Sequence, residues 1–249
     1  MFSFDNETEE AILKIKTKIF ADGADLDIID MHSKNSLIKG FTTNPTLMYK
    51  SGIKDYKAFA LDALSIVKDK PFSFEVFADD FESMKKQALE IASWGGNVNV
   101  KIPITNTKGE SCEELIVYLS KQKVKLNITA VFTKEQIEIA HRSLDPSVYS
   151  IISIFAGRIA DTGVNPVPFF SDALKLINKK LSNTNLIWAS PRELYNIIEA
   201  DKVGCHIITV TDDLLKKLNL LGKDLKLFSL ETVQMFYNDA EKSGFKIDV

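Results

Sequence analysis

The sequence predicts an α/β protein: a single (β/α)8 TIM barrel with an extra N-terminal helix and a C-terminal helix. Three observations predict it. Short segments with strand patterning alternate eight times with helical patterns along 249 residues, and strict alternation implies a parallel sheet with helical crossovers. No linker or low-complexity segment interrupts the series, and about 250 residues suit eight such units. The turn after the first strand, Asp22-Gly23-Ala24-Asp25, is not the glycine-rich loop that a doubly wound open sheet would want there.

The elements follow in order. Asn6 to about Thr17 predicts the extra helix, with Ala11, Ile12, Ile15 and Ile19 near helical spacing. Lys18–Asp22 is the first strand, and a helix through Leu26 and Ile29 follows Gly23. Leu37–Thr43 is the second, and Asn44-Pro45 turns the chain, with proline suited to a first helical turn. A helix runs from about Tyr56 to Lys68. Phe72–Phe77 is the third strand, followed by a helix from Phe81 to Trp94 that Gly95-Gly96 ends. Asn97–Thr105 is the fourth: Val98, Val100 and Ile102 share one face, and Asn97, Asn99 and Lys101 share the other. Thr107-Lys-Gly-Glu110 resembles a capping box that opens a helix to Lys121. Lys125–Val131 is the fifth strand, and the capping box at Thr133–Gln136 opens the next helix. Tyr149–Phe155 is the sixth. Gly157–Pro168 predicts a loop, with a helix through Phe170 and Ile177 after it. Asn185–Ala189 is the seventh, and Ser190-Pro191-Arg192-Glu193 predicts a helix start capped by Ser190. Gly204–Val210 is the eighth, and a last helix runs from about Leu227 to Lys242.

Composition narrows the function. The net charge of −3 and pI near 5.7 give no reason to expect nucleic acid or an anionic membrane as partner. No apolar run approaches the roughly 18 residues of a membrane span, and the acidic start MFSFDNETEE does not resemble a signal peptide. A cytoplasmic protein is expected. Cys112 and Cys205 fit no metal spacing and the three histidines form no cluster, so no metal site is expected. Only three of the 31 basic residues are arginine. Arginine's planar fork suits phosphate or carboxylate, which draws attention to Arg158 and Arg192.

Active sites of such barrels lie at the C-terminal ends of the strands. The polar residues collected there are Asp22, Asn44, Glu75, Lys101, Asn127, Thr129, Ser153, Arg158, Ser190 and Arg192. Charges inside a barrel are costly unless paired or functional. A lysine, two carboxylates, and several amides and hydroxyls suit a Schiff base formed on a carbonyl sugar, with a carboxylate to move protons. Arg158 and Arg192 fall late in the barrel, where phosphate sites are frequent.

Five motifs carry a family resemblance: Gly40-Phe-Thr-Thr-Asn-Pro-Thr46, Val100-Lys-Ile-Pro103, Leu126-Asn-Ile-Thr129, Ser153-Ile-Phe-Ala-Gly-Arg158 and Ala189-Ser-Pro-Arg192. From about Phe20 to Leu218 the chain resembles the transaldolases, class I aldolases of the pentose phosphate pathway. The resemblance implies that Lys101 forms the Schiff base and that Asp22 is the general acid/base. It implies that Glu75 and Thr129 hold a proton-relaying water, and that Asn44, Asn127 and Ser153 bind the dihydroxyacetone part. Arg158, Ser190 and Arg192 would bind the sugar phosphate. The implied reaction moves a dihydroxyacetone unit between sugar phosphates, with no cofactor, in a homo-oligomer. Relatives that release free dihydroxyacetone, the fructose-6-phosphate aldolases, tend to carry glutamine at the position of Glu75 and tyrosine at that of Phe155. Family members commonly have asparagine at the position of Glu193 and often proline at that of Ile154. A non-catalytic sugar-phosphate-binding barrel is the reading from another class, and it would lack the lysine or the acid/base.

Overall fold

The computed structural model describes residue 10, residues 12–179 and residues 183–247. The chain divides into a unit of Ile15–Leu215 and a second unit of Phe2–Lys14 with Lys216–Val249. The first unit holds β1 (Lys18–Asp22), β2 (Ile38–Thr42), β3 (Phe72–Glu75), β4 (Val98–Pro103), β5 (Leu126–Val131), β6 (Ser150–Ile154), β7 (Thr184–Trp188) and β8 (Ile207–Thr211). They form one closed barrel in sequence order, and every neighbouring pair is parallel, with β8 pairing back onto β1. The expected (β/α)8 barrel is the observed fold.

The helices that follow the strands are α1 (Leu26–Ser33), α2 (Pro45–Lys50), α3 (Tyr56–Ile66), α4 (Phe81–Ser93), α5 (Glu113–Lys121), α6 (Lys134–Ser143), α7 (Ala156–Asp161), α8 (Val167–Lys179), α9 (Tyr195–Val203) and α10 (Asp212–Leu215). Side-chain oxygens of Asp25, Asn44, Asp55, Asp80 and Thr133 accept from the first free N–H groups of α1, α2, α3, α4 and α6, which fixes where these helices begin. The second unit carries α11 (Leu225–Ser243), capped by Asp224 and ended by Gly244 at φ 64°. Of the expected N-terminal helix, residues 6–9 and 11 lie outside the described residues, and residues 10, 12 and 13 are helical. That helix does not reach Thr17, because the N–H groups of Lys16 and Thr17 both donate to Asp201 Oδ1.

Three expected boundaries are corrected. Thr107 caps no helix: the Asn106 side chain accepts from the N–H groups of Lys108 and Glu110, and Thr107 bonds Asp79. These local bonds outcompete helix initiation, so α5 starts at Glu113. Ser190 does not cap a helix either. It lies at φ 60°, and Asn196 Oδ1 takes the N–H groups of Arg192 and Glu193, so α9 starts only at Tyr195. The predicted loop at 157–168 instead contains α7 and the start of α8.

Strand alternation separates two apolar layers. Outward residues such as Phe41, Phe72, Phe74 and Trp188 are buried beneath the helices, and Trp188 stacks on Phe170 at 4.7 Å. Inward, Phe20, Ile151, Ile187 and Ile207 pack together within the barrel. Gly40 makes room for Phe20, since a Cβ there would fall 2.4 Å from the ring. Towards the C-terminal ends of the strands the inward positions turn polar, and the candidate site begins there.

Candidate active site

β3, β4 and β5 are in register so that Glu75 faces Lys101, and Lys101 faces Asn127. Lys101 is only 6% exposed. Its ammonium lies 2.9 Å from Glu75 Oε2 and donates to the Thr43 carbonyl at 2.9 Å. A lysine buried to this degree needs such partners, and the sequence foresaw the carboxylate but not the carbonyl.

Asp22 stands at the end of β1 and accepts a hydrogen bond from Thr42 Oγ1 at 2.7 Å. Thr42 is in turn bonded to Thr209 on β8. Burial pushes the Asp22 carboxyl above its ordinary range, and Glu75 adds to the rise. Lys101 and the Thr42 bond oppose it without cancelling it. Desolvation disfavours the charged form and thus poises an acid nearer to neutrality.

Asn127 is fully buried and joins two hydroxyls. It donates to Ser73 Oγ at 3.1 Å and accepts from Ser153 Oγ at 2.7 Å. Thr129, next along the same inward face, is buried with its Oγ1 lacking a hydrogen-bond partner, as are Thr43 Oγ1 and Asn99 Oδ1. Buried polar atoms are nearly always paired, so Thr129 Oγ1 and Asn99 Oδ1, on the inward face, leave hydrogen-bonding capacity in the barrel interior. Asn44 is the cap of α2 and uses its Oδ1 on the Leu47 N–H at 3.0 Å.

Arg158 lies on α7, and its guanidinium rests 5.8 Å from the centre of the Phe155 ring. Phe155 itself packs on the barrel-interior cluster. Arg192 is engaged by Asp161 through both Nε and Nη2. Gly157 and Ser190 abut so closely that a Cβ on Gly157 would fall 1.6 Å from the Ser190 carbonyl oxygen. The segment that carries Arg158 thus touches the segment that carries Ser190 and Arg192, and Asp161, which Arg192 bonds and whose carboxyl both arginines hold below its ordinary range, is a partner that the sequence did not reveal. The helix start expected at Ser190 is absent from this group, because α9 begins later, at Tyr195.

Sequence reasoning missed Thr42, Ser73, Asp161 and Tyr56. The Tyr56 hydroxyl donates to the Glu75 carbonyl at 2.7 Å and accepts from the Glu75 N–H at 2.9 Å. Thr42 and Ser73 could have been found from the inward alternation, but no pattern marks Tyr56. Among the described residues no group of three His, Cys, Asp or Glu side chains forms a metal site. No helix among them is long and apolar enough to cross a membrane.

Fold and site together define a (β/α)8 barrel with a buried, carboxylate-paired lysine at the C-terminal ends of its strands. A family model, Transaldolase/Fructose-6-phosphate aldolase, matches residues 19–248. The chain belongs to that family, whose members are enzymes. It is 34% identical to a "Probable transaldolase" of Thermoanaerobacter sp. (strain X514) over 92% of this chain and 100% of that one. It is also 34% identical to a "Probable transaldolase" of Streptococcus pyogenes serotype M2, over 85% of this chain and 95% of that one. In fold alone it is similar to the "Crystal structure of a putative lyase/mutase from Burkholderia cenocepacia J2315", with TM-score 0.57, 10% identity and coverage of 96% and 89%.

Proposed function

We propose that this protein is a transaldolase that transfers a dihydroxyacetone unit from a ketose phosphate to an aldose phosphate, the reaction of the pentose phosphate pathway. The observation that carries the reading is the buried Lys101, held between Glu75 and the Thr43 carbonyl in a chain of this family.

Glu75, 2.9 Å away, takes a proton from Lys101. The freed amine attacks the ketose C2 carbonyl. The resulting carbinolamine loses its hydroxyl as water, with Thr129 Oγ1 and Glu75 holding a relaying water. The unused capacity of Thr129 Oγ1 supports this role. The iminium then draws the C3–C4 electrons as Asp22 takes the C4 hydroxyl proton. The raised Asp22 pKa suits a group that must both accept and return a proton. The aldose phosphate leaves, and the enamine carbon attacks the aldehyde of an incoming aldose phosphate. Asp22 reprotonates the new alkoxide, and hydrolysis frees Lys101. The Asn127–Ser153 pair supplies donors and acceptors for the dihydroxyacetone hydroxyls. Arg158, Ser190 and Arg192 hold the phosphate, which competes with Asp161 for the fork of Arg192.

Borohydride reduction in the presence of fructose 6-phosphate tests the reading. A three-carbon adduct on Lys101 is expected, by intact mass and peptide mapping. Its absence on folded protein overturns the Schiff-base mechanism. Product assays with and without erythrose 4-phosphate then separate transfer from release. Transfer requires the acceptor, whereas a fructose-6-phosphate aldolase liberates dihydroxyacetone without it.

A further inference from the structure

β2 ends at Thr42, and Asn44 already caps α2. The last backbone bond from this end of β2 to β3 is Thr43 N–H to the Ser73 carbonyl, at 3.2 Å. Glu75 is two residues further along β3. Its neighbour Val76 donates to Lys101 on β4, so the backbone groups of Glu75 face the other side, where β2 has stopped. Tyr56, the first residue of α3, puts its hydroxyl there and bonds both groups, donating to the carbonyl and accepting from the N–H. Phe77 and Trp94 flank the Tyr56 ring, with centroids 5.3 and 5.9 Å away. The Lys101 ammonium donates to the Thr43 carbonyl at the same break in the ladder. Both members of the Glu75–Lys101 pair are thus anchored where the sheet lacks a strand residue.

We propose that Tyr56 is a positioning residue for the Lys101 centre: its hydroxyl stands in for the missing strand and holds Glu75 where its carboxylate meets the amine. The proposal rests on the transaldolase reading above. Burial pushes the Tyr56 phenol well above its ordinary range, so the hydroxyl stays protonated and keeps both bonds at any working pH. Phenylalanine would keep the ring packing and leave both backbone groups of Glu75 without this partner.

The test is Tyr56→Phe, assayed for kcat, KM and the rate of the borohydride-trapped adduct. Misplacement of a catalytic group by about 1 Å costs on the order of 100-fold. A fall in kcat of about 10- to 100-fold is therefore expected, with KM little changed and adduct formation slowed in the same proportion. The fall in kcat without a change in KM is the readout that a merely structural tyrosine would not give. Ile177→Val, a core change on α8, is the control: it lowers stability and leaves the kinetics alone. Phe77→Leu loosens the Tyr56 ring while keeping the hydroxyl, and a smaller loss of kcat is expected. Wild-type kcat and adduct rate in both Tyr56→Phe and Phe77→Leu overturn the proposal. Absence of any adduct in the wild-type protein overturns the transaldolase reading instead, and this proposal falls with it.

Discussion

Replacing Gly157 with alanine places a methyl carbon where the Ser190 carbonyl already stands. The new Cβ would lie 1.6 Å from that oxygen, 2.7 Å from its carbon and 3.4 Å from Arg192 Cγ. The near atoms are backbone, so no rotamer change relieves the clash. The start of α7 and the segment after β7 must separate by roughly 2 Å to restore van der Waals contact. Overpacking of this kind costs about 1–3 kcal/mol, and the bond from Gly157 N–H to the Ala189 carbonyl, 3.3 Å long, is lost as well. A total of about 3 kcal/mol corresponds to a drop in Tm of roughly 6–12 °C for a unit of this size. The separation also moves Arg158 away from Ser190 and Arg192. A raised KM for sugar phosphates is therefore expected, with a smaller effect on the rate of adduct formation at Lys101. Thermal melts and steady-state kinetics check both. Gly96→Ala is the control, since nothing lies within 4 Å of its would-be Cβ. A Gly157→Ala protein that melts with the wild type and keeps its KM would refute the close approach of these two segments.

Other expectations follow from the same site. Asp22→Asn should lose activity and gain stability at neutral pH in urea titrations. The raised Asp22 pKa means that the folded state disfavours the carboxylate. This cost is absent below the unfolded value of about 3.9, grows as pH rises towards the folded pKa, and persists above it. Wild type and variant should therefore converge near the acid end, and a variant less stable at neutral pH contradicts the assignment. For the same reason the acid limb of wild-type activity should fall at a higher pH than an ordinary carboxylate would give. Thr129→Val should leave the melting temperature unchanged or higher, because it removes a buried hydroxyl that has no partner, while single-turnover imine formation slows. Slowed chemistry together with lost stability would point to a structural hydroxyl. Arg192→Lys loses the two-pronged contact now made with Asp161 and should raise KM for sugar phosphates about tenfold with kcat less affected. An unchanged KM would remove Arg192 from the phosphate site.

Much of this architecture follows from local patterning. The eight strands and most helices were legible because side-chain periodicity is set by backbone geometry alone. The same rule put Lys101, Glu75, Asn127 and Thr129 on the inside, and the structure keeps them there. Patterning failed where side chains compete for the backbone. Thr107 and Ser190 have the residue types of helix caps, but Asn106 and Asn196 take the neighbouring N–H groups first. The glycines and prolines of 157–168 read as a loop. Gly157 is instead a point of close approach inside α7, set by the path of the chain after β7.

By itself, then, the sequence determined the alternation of elements, the barrel class and the inward lysine–carboxylate face. These depend on residues adjacent in the chain. Only the tertiary structure decided that Asp161 holds Arg192, that Ser73, Asn127 and Ser153 form one chain of hydrogen bonds, and that Tyr56 closes the gap beside Glu75. Each of these contacts joins residues 19 to 54 positions apart, and such pairings exist only once barrel closure has set the stagger of the strands.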